Sequence, residues 1–366
     1  MPNAKTSGQM GAATLLAFFF LYFLLFTSAL FRPFYLFNPN SNSGVSDSSS
    51  YIQMHDLDFS VSPVHRYRIG IPLLARGISI ASSKADVLTQ GDQIDNSTSP
   101  QKRFSFLVVN CLLLSLAATL TLITAQQLTE QSYLFLCFPV AIAYLTPAII
   151  TIASSPMVDL GVVLGCSAYP LLLRQKNLIT FPVFSSILMA LNERSIAYTP
   201  IVLLQKNRKL FIRLLTFLAA LLLCLATHAL IKTQVDTIYS IQLSESEEGL
   251  GVIKTFLHHL GNIRSTIHHF TMHPKVLLRH FLFDIGYLSI ASIAALAIMG
   301  RGKIDHNNPI KASAKEISQQ AIFVVAISIV LFMMSGDFTR MVLAVTPYSS
   351  LSTALAISFL VTLKQS

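Results

Sequence analysis

Ten apolar runs follow one another along the 366 residues, more than the core of an ordinary soluble domain would hold. They lie near Gly11–Phe31, Phe104–Thr124, Tyr133–Ala153, Met157–Leu173, Leu178–Leu191, Ser195–Leu204, Leu210–Ile231, Phe281–Met299, Ser318–Ser335 and Met341–Leu363. Lipid offers no partner to a backbone amide, so a chain of this kind satisfies its own hydrogen bonds as helices. The pattern predicts an all-α, polytopic transmembrane bundle of about ten membrane segments, with residues 1–366 as a single integral membrane domain. Composition agrees, with 53% hydrophobic and 12% charged residues, and no stretch reads as a separate soluble domain. The first run exceeds the 7–15-residue core of a cleaved signal, so it reads as a retained anchor.

The formal charge of +9 raises the question of a nucleic-acid partner. The basic residues are scattered between apolar runs instead of gathered on one face, which points to lipid headgroups and topology and to no nucleic acid. Cys111, Cys137, Cys166 and Cys224 all lie inside apolar runs, without the spacing of a metal knuckle or a disulfide framework. They read as small residues at lipid depth.

The stretch "LNERSIAYTP" sets a carboxylate and a guanidinium between two apolar runs. A charge near the bilayer centre costs about 2.5–3.5 kcal/mol on insertion scales, so such residues face a protein interior or a watery cavity. If the runs on either side formed one helix, the basic loops Arg174–Asn177 and Gln205–Lys209 would lie on opposite sides of the membrane. A turn at Asn192–Arg194 puts both on the cytoplasmic side with Lys5, Gly300–Lys303, Lys311–Lys315 and Lys364. Both termini are then cytoplasmic. The two arms are too short to cross as straight α-helices, at about 1.5 Å per residue, so they belong in a thinned region or inside the bundle.

In this topology the remaining acids and arginines collect at the outer face: Asp47, Arg66, Arg68, Asp159, Glu193, Arg194, Asp337 and Arg340. Two long outer loops, about 32–103 and 232–279, carry further detail. "RYRIGIPLLARGISIA" (Arg66–Ala81) reads as an interfacial helix with its guanidiniums at lipid phosphates. Ile253, Phe256, Leu257, Leu260, Ile263, Ile267 and Phe270 recur at three-and-four spacing, predicting an amphipathic helix over Lys254–Phe270. Its histidine pairs, ten residues apart, diverge by about 80° around such a helix, so no metal site is assigned there.

Five pieces of this sequence resemble integral-membrane glycosyltransferases of the C-type superfamily, which take a sugar from a polyprenyl-phosphate carrier at the outer side of a membrane. They are "SDSSSYIQM" with Asp47 and Tyr51, "RYRIGIPLLA" with Arg66, Arg68 and Pro72, "SSPMVDLGVVLG" with Asp159, "LNERSIAYTPIVLL" with Glu193, Arg194 and Pro200, and "GDFTRMVLAVTP" with Asp337, Arg340 and Pro347. The resemblance implies a catalytic acid or base in the first outer loop, which by position is Asp47. It also implies a lipid-linked sugar donor and a bacterial inner-membrane location. Where the family often has paired acids, this chain has Ser46–Asp47–Ser48, so Asp56 and Asp58 remain alternatives.

The chemistry asks for similar residues. A carboxylate that takes the acceptor's proton contributes about 10²–10⁴-fold, and a leaving phosphate is best met by a guanidinium fork. Asp47 is the candidate base, with Glu193 as a second catalytic carboxylate. Arg66, Arg68, Asp159, Arg194, Asp337 and Arg340 are the candidate substrate-binding groups. Glu193 and Asp159 are free in this reading to orient arginines, bind sugar or hold a divalent cation. Two other classes stay open: a lipid or solute transporter, and a non-catalytic assembly subunit.

Overall fold

The computed structural model describes residues 11–36, 47–61, 63–82, 100–205, 207–238, 261–276, 278–279, 309–335 and 343–365, and among them every regular element is a helix. Five helices are long and apolar enough to cross a membrane: α1 (Ala12–Leu36), α5 (Pro100–Thr129), α10 (Leu210–Ile238), α11 (Pro309–Ser335) and α12 (Thr346–Gln365). A sixth span forms if α6 (Tyr133–Tyr144) and α7 (Pro147–Ala153), bent by 74° at their junction, count as one. These apolar helices mark a multi-pass membrane protein. The count differs from ten because three predicted spans are short: α8 (Leu160–Leu172), α9 (Thr180–Leu191) and the 3-10 helix Glu193–Leu204. Phe281–Met299 lies outside the described residues.

Burial sorts the long helices. α5 is largely enclosed, whereas α1 and α10 turn Leu16, Phe20 and Leu24, and Phe211, Leu215 and Leu222, to the outside. So much exposed hydrocarbon is unfavourable in water and neutral in lipid. The core therefore runs along α5, α8 and α12. A column of hydroxyls sets its register: the Tyr144 hydroxyl lies 2.8 Å from that of Thr121 on α5 and 2.7 Å from that of Ser167 on α8.

Close approach comes from glycine. On α8, an added Cβ at Gly161 would stand 3.0 Å from Leu191 Cβ, and one at Gly165 would stand 3.1 Å from a Leu188 methyl. The pair, four residues apart, lets the side chains of Leu188 and Leu191 on α9 seat directly on the α8 backbone, the small-residue contact that replaces a hydrophobic drive inside lipid.

The chain does reverse at Asn192. α9 ends at Leu191, Asn192 is extended, and its side-chain carbonyl accepts from the Arg194 amide to start the 3-10 helix. The two basic loops consequently meet: Arg208 donates to the carbonyl of Lys176 at 3.2 Å and also bonds Gln175, while Gln205 bonds the Leu173 carbonyl. Arg174 pairs with Glu316 of α11 at 2.9 Å at the same end. The returning arm is 3-10, not α. At about 2.0 Å per residue its 12 residues reach about 24 Å, against about 18 Å for an α-helix. Pro200 gives one reason, since inside an α-helix it removes a hydrogen bond and crowds the carbonyl four residues back.

At the other end, α2 (Ser48–His55), α3 (Pro63–Arg66) and α4 (Gly70–Ser82) form a layer over the bundle. Arg76 of α4 donates to the His55 carbonyl at 3.0 Å, and Lys102 of α5 pairs with Asp56 at 2.5 Å. α4 buries Ile71, Pro72 and Ala75 and leaves the apolar Leu73, Leu74 and Ile80 exposed, an outer face suited to lipid. Of the predicted helix over Lys254–Phe270, residues 261–270 are described and are helical. Phe270 packs on Phe332 of α11, with ring centroids 5.2 Å apart.

Candidate functional site

Asp47, Arg68, Asp159, Glu193 and Arg194 come together where the α2–α4 layer meets the Asn192 turn. Gly70 makes the junction possible: a Cβ there would stand 2.6 Å from the Ala190 carbonyl oxygen, so only glycine lets α4 start against the end of α9. That contact brings Arg68, two residues earlier, to Glu193.

Two ion pairs result. Arg68 reaches Glu193 Oε1 through Nε at 2.6 Å and Nη2 at 2.5 Å. Arg194 Nη1 reaches Asp159 Oδ1 at 3.0 Å. Arg68 is 4% exposed and Asp159 2%, while Glu193 keeps 31% of its side chain accessible. Burial pushes the Arg68 guanidinium toward losing its proton, but Tyr51, Glu193 and Asp159 outweigh that and hold it above its ordinary value. It is a permanent cation. Both acids orient arginines, and no group of three or more metal-binding side chains occurs among the described residues. Glu193 Oε2 is buried and has no hydrogen-bond partner among them, so this carboxylate retains acceptor capacity.

A third branch runs from Arg68 to Asp47. Arg68 Nη1 donates to the Tyr51 hydroxyl at 2.8 Å, that hydroxyl lies 3.3 Å from His65 Nδ1, and His65 Nε2 lies 3.5 Å from Asp47 Oδ1. Asp47 and Asp159 share a setting. Each stands at the N-cap of a helix, α2 and α8, and neither side chain caps it. Their carboxylates turn to His65 and Arg194 while keeping the favourable field of a helix N-terminus.

The two arginines of "RYR" have their own partners inside the protein. Arg68, expected at lipid phosphates, is buried and finds its acceptors within the protein, in Tyr51 and Glu193. Arg66 is also buried, with Nε and Nη2 donating to the Val61 carbonyl at 3.2 and 2.9 Å, which closes the loop before α3. Asp337 and Arg340 lie outside the described residues. Asp56 and Asp58 stand apart from the cluster. Asp56 bonds Lys102 and His55, and Asp58 bonds the Ser60 amide and hydroxyl.

The sequence reading missed His65. A single histidine inside "PVHRYR" carries no pattern, and its place between Tyr51 and Asp47 depends on the fold of the loop. The four cysteines are free and buried, each within a helix. No family model matches the chain, and neither a curated protein nor a solved structure matches it.

Proposed function

We propose that the chain is a membrane glycosyltransferase that moves a sugar from a polyprenyl-phosphate-type lipid to an acceptor hydroxyl at the outer membrane face. The observation that carries this reading is the assembly, at one end of the bundle, of three carboxylates and two arginines drawn from four distant stretches of sequence. The opposite end gathers Arg174, Lys176, Arg208 and Lys209, and positive-inside reasoning makes that end cytoplasmic and the acidic end outer. The location that follows is a bacterial inner membrane with both termini in the cytoplasm.

In this reaction the bond from the sugar's anomeric carbon to the carrier phosphate oxygen breaks, and the phosphate leaves with the electron pair. The acceptor oxygen forms the new bond as its proton passes to Asp47. Arg194, 18% exposed, faces the growing negative charge of the leaving phosphate. Glu193, its Oε1 fixed by Arg68 and its side chain 31% exposed, is the second carboxylate of the site. Arg68, buried and engaged on both sides, positions Glu193 and Tyr51 and does not touch the donor.

Transport is the second reading, and one feature favours it. The hydroxyls of Ser195 and Tyr348 are buried in the bundle and have no hydrogen-bond partner among the described residues. Buried hydroxyls of this kind are what a polar solute would contact on its way through. Purified protein in vesicles, supplied with a mixture of polyprenyl-linked sugars and simple acceptors, separates the readings. Released carrier phosphate supports transfer; intact sugar-lipid appearing in the far leaflet without bond cleavage would establish transport.

A further inference from the structure

The reading of Asp47 as the base leaves open what holds it ionised and aimed. We propose that a one-way chain of donors, Arg68 to Tyr51 to His65 to Asp47, fixes His65 as the neutral Nε2–H tautomer, and that this N–H positions the Asp47 carboxylate. The proposal rests on the transferase reading for its kinetic consequence but not for its chemistry.

The direction of the chain follows from what each group can do. An arginine has donors only, so at 2.8 Å the Tyr51 hydroxyl accepts from Arg68 Nη1. Its own proton is then available for His65 Nδ1 at 3.3 Å, which accepts it with a lone pair. A neutral imidazole with Nδ1 as acceptor carries its proton on Nε2, and Nε2 is the atom facing Asp47. A carboxylate can only accept, so the reverse tautomer would set two lone pairs against each other. At 3.5 Å this last contact is at the outer limit of a hydrogen bond, as catalytic contacts often are before substrate binds. The alternative that also satisfies Asp47 is the imidazolium, donating from both nitrogens. It sets a second cation against the Tyr51 hydroxyl but pairs with Asp47, and the nitrogen-15 measurement below separates it from the neutral tautomer.

Other placements fit this role. Asp47 stands at the N-cap of α2 yet its side chain makes no cap bond, so its orientation is not set by the helix amides. Tyr51 sits one turn later on the same helix, fully buried, with its ring edge-on to the His65 ring at 5.5 Å. Among the described residues, the charged and titratable groups bearing on His65 include Asp47 and Tyr51 of the α2 segment, Arg68 before α4 and, through Arg68, Glu193 of the turn and Asp159 ahead of α8. His65 and Asp47 are 15% and 19% exposed, near enough to the surface for an acceptor to reach the carboxylate.

The chain is tested on the whole protein in two independent ways. Nitrogen-15 labelling of histidine, with His65→Gln to assign the signal, reads the tautomer directly at neutral pH. The expected spectrum has Nε2 protonated and Nδ1 bare, with the Nδ1 signal moving in Tyr51→Phe. A bare Nε2, or a doubly protonated ring, overturns the proposal whatever the protein catalyses. The kinetic arm compares His65→Gln with His65→Phe in the carrier-release assay. Glutamine keeps an N–H where Nε2 was, so it should recover at least tenfold of the roughly 10–100-fold loss expected for phenylalanine. If glutamine is as inactive as phenylalanine, His65 does more than donate to Asp47 and the positioning role is wrong. An absence of transfer in the unmodified protein refutes the transferase reading alone, and the tautomer measurement then decides the chain by itself.

Discussion

A single residue, Arg68, ties the candidate site together, since it touches Glu193 and, through Tyr51, leads to His65 and Asp47. Removing one partner of a buried pair strands the other charge, at a cost of about 3–5 kcal/mol. Glu193 is nearly a third exposed, which lowers that figure for this pair. Arg68→Ala should therefore destabilise the protein by about 2–4 kcal/mol and Glu193→Gln by less, because water and Tyr51 still serve the guanidinium. With no tryptophan and four buried thiols, Cys111, Cys137, Cys166 and Cys224, a thiol-reactive dye during heating is the suitable probe of unfolding. Equal losses for the two variants would mean that the pair, not Arg68, carries the effect. Asp56 shows the opposite balance. Burial would raise its carboxyl, but the hydrogen bonds from Lys102 and His55 outweigh this and hold it below the usual carboxylate range. A depressed carboxyl stabilises the fold above its unfolded pKa, and that contribution is lost as pH falls through the folded value. The clamp of α2 on α5 should thus weaken below about pH 4, and Lys102→Ala should reduce this acid sensitivity, His55 still holding Asp56, while costing no more than about 1 kcal/mol at neutral pH, as melting curves across pH would reveal.

At the scale of elements, glycine placement decides whether the outer layer can seat on the bundle. Within α4, Gly70 and Gly77 make opposite predictions. A methyl group at Gly70 would strike the backbone of Ala190, whereas nothing lies within 4 Å of one at Gly77. Gly70→Ala should cost about 1–3 kcal/mol through overpacking and loosen Arg68 from Glu193. Gly77→Ala should stabilise by up to about 1 kcal/mol through helix propensity. A Gly77→Ala protein that melts lower than the parent would contradict the placement of α4. Much of this level was legible. The turn at Asn192 followed from the basic loops on either side, and the helical class followed from apolar length. The 3-10 form of Glu193–Leu204 was not legible, because its apolar residues suit either winding and the choice depends on packing against α8, α9 and α10. The pairing of Arg68 with Glu193 was hidden for a related reason. The two lie 125 residues apart, and no local periodicity names a partner at that distance. Arg66 and Arg68 look alike in "RYR", yet only the fold sends one to Val61 and the other to Glu193.

The whole molecule has two unlike ends, and its proposed function depends on which side of the membrane each faces. In a background lacking the native cysteines, Lys176→Cys and Lys209→Cys should be labelled by an impermeant reagent from the same side, and Asp58→Cys from the other. Labelling of Lys176→Cys and Lys209→Cys from opposite sides would undo the turn at Asn192 and the reading of the outer face with it. The account as a whole stands on the carboxylate at the head of α2. The most direct test is carrier-phosphate release from a polyprenyl-linked sugar mixture by the unmodified protein and by Asp47→Asn. The amide keeps the shape but cannot take a proton, so release should fall at least about 10²-fold while lipid binding and the thiol-dye melting curve stay close to those of the parent. Full release by Asp47→Asn would contradict the account and transfer the search for the base to Glu193, Asp159, Asp56 and Asp58.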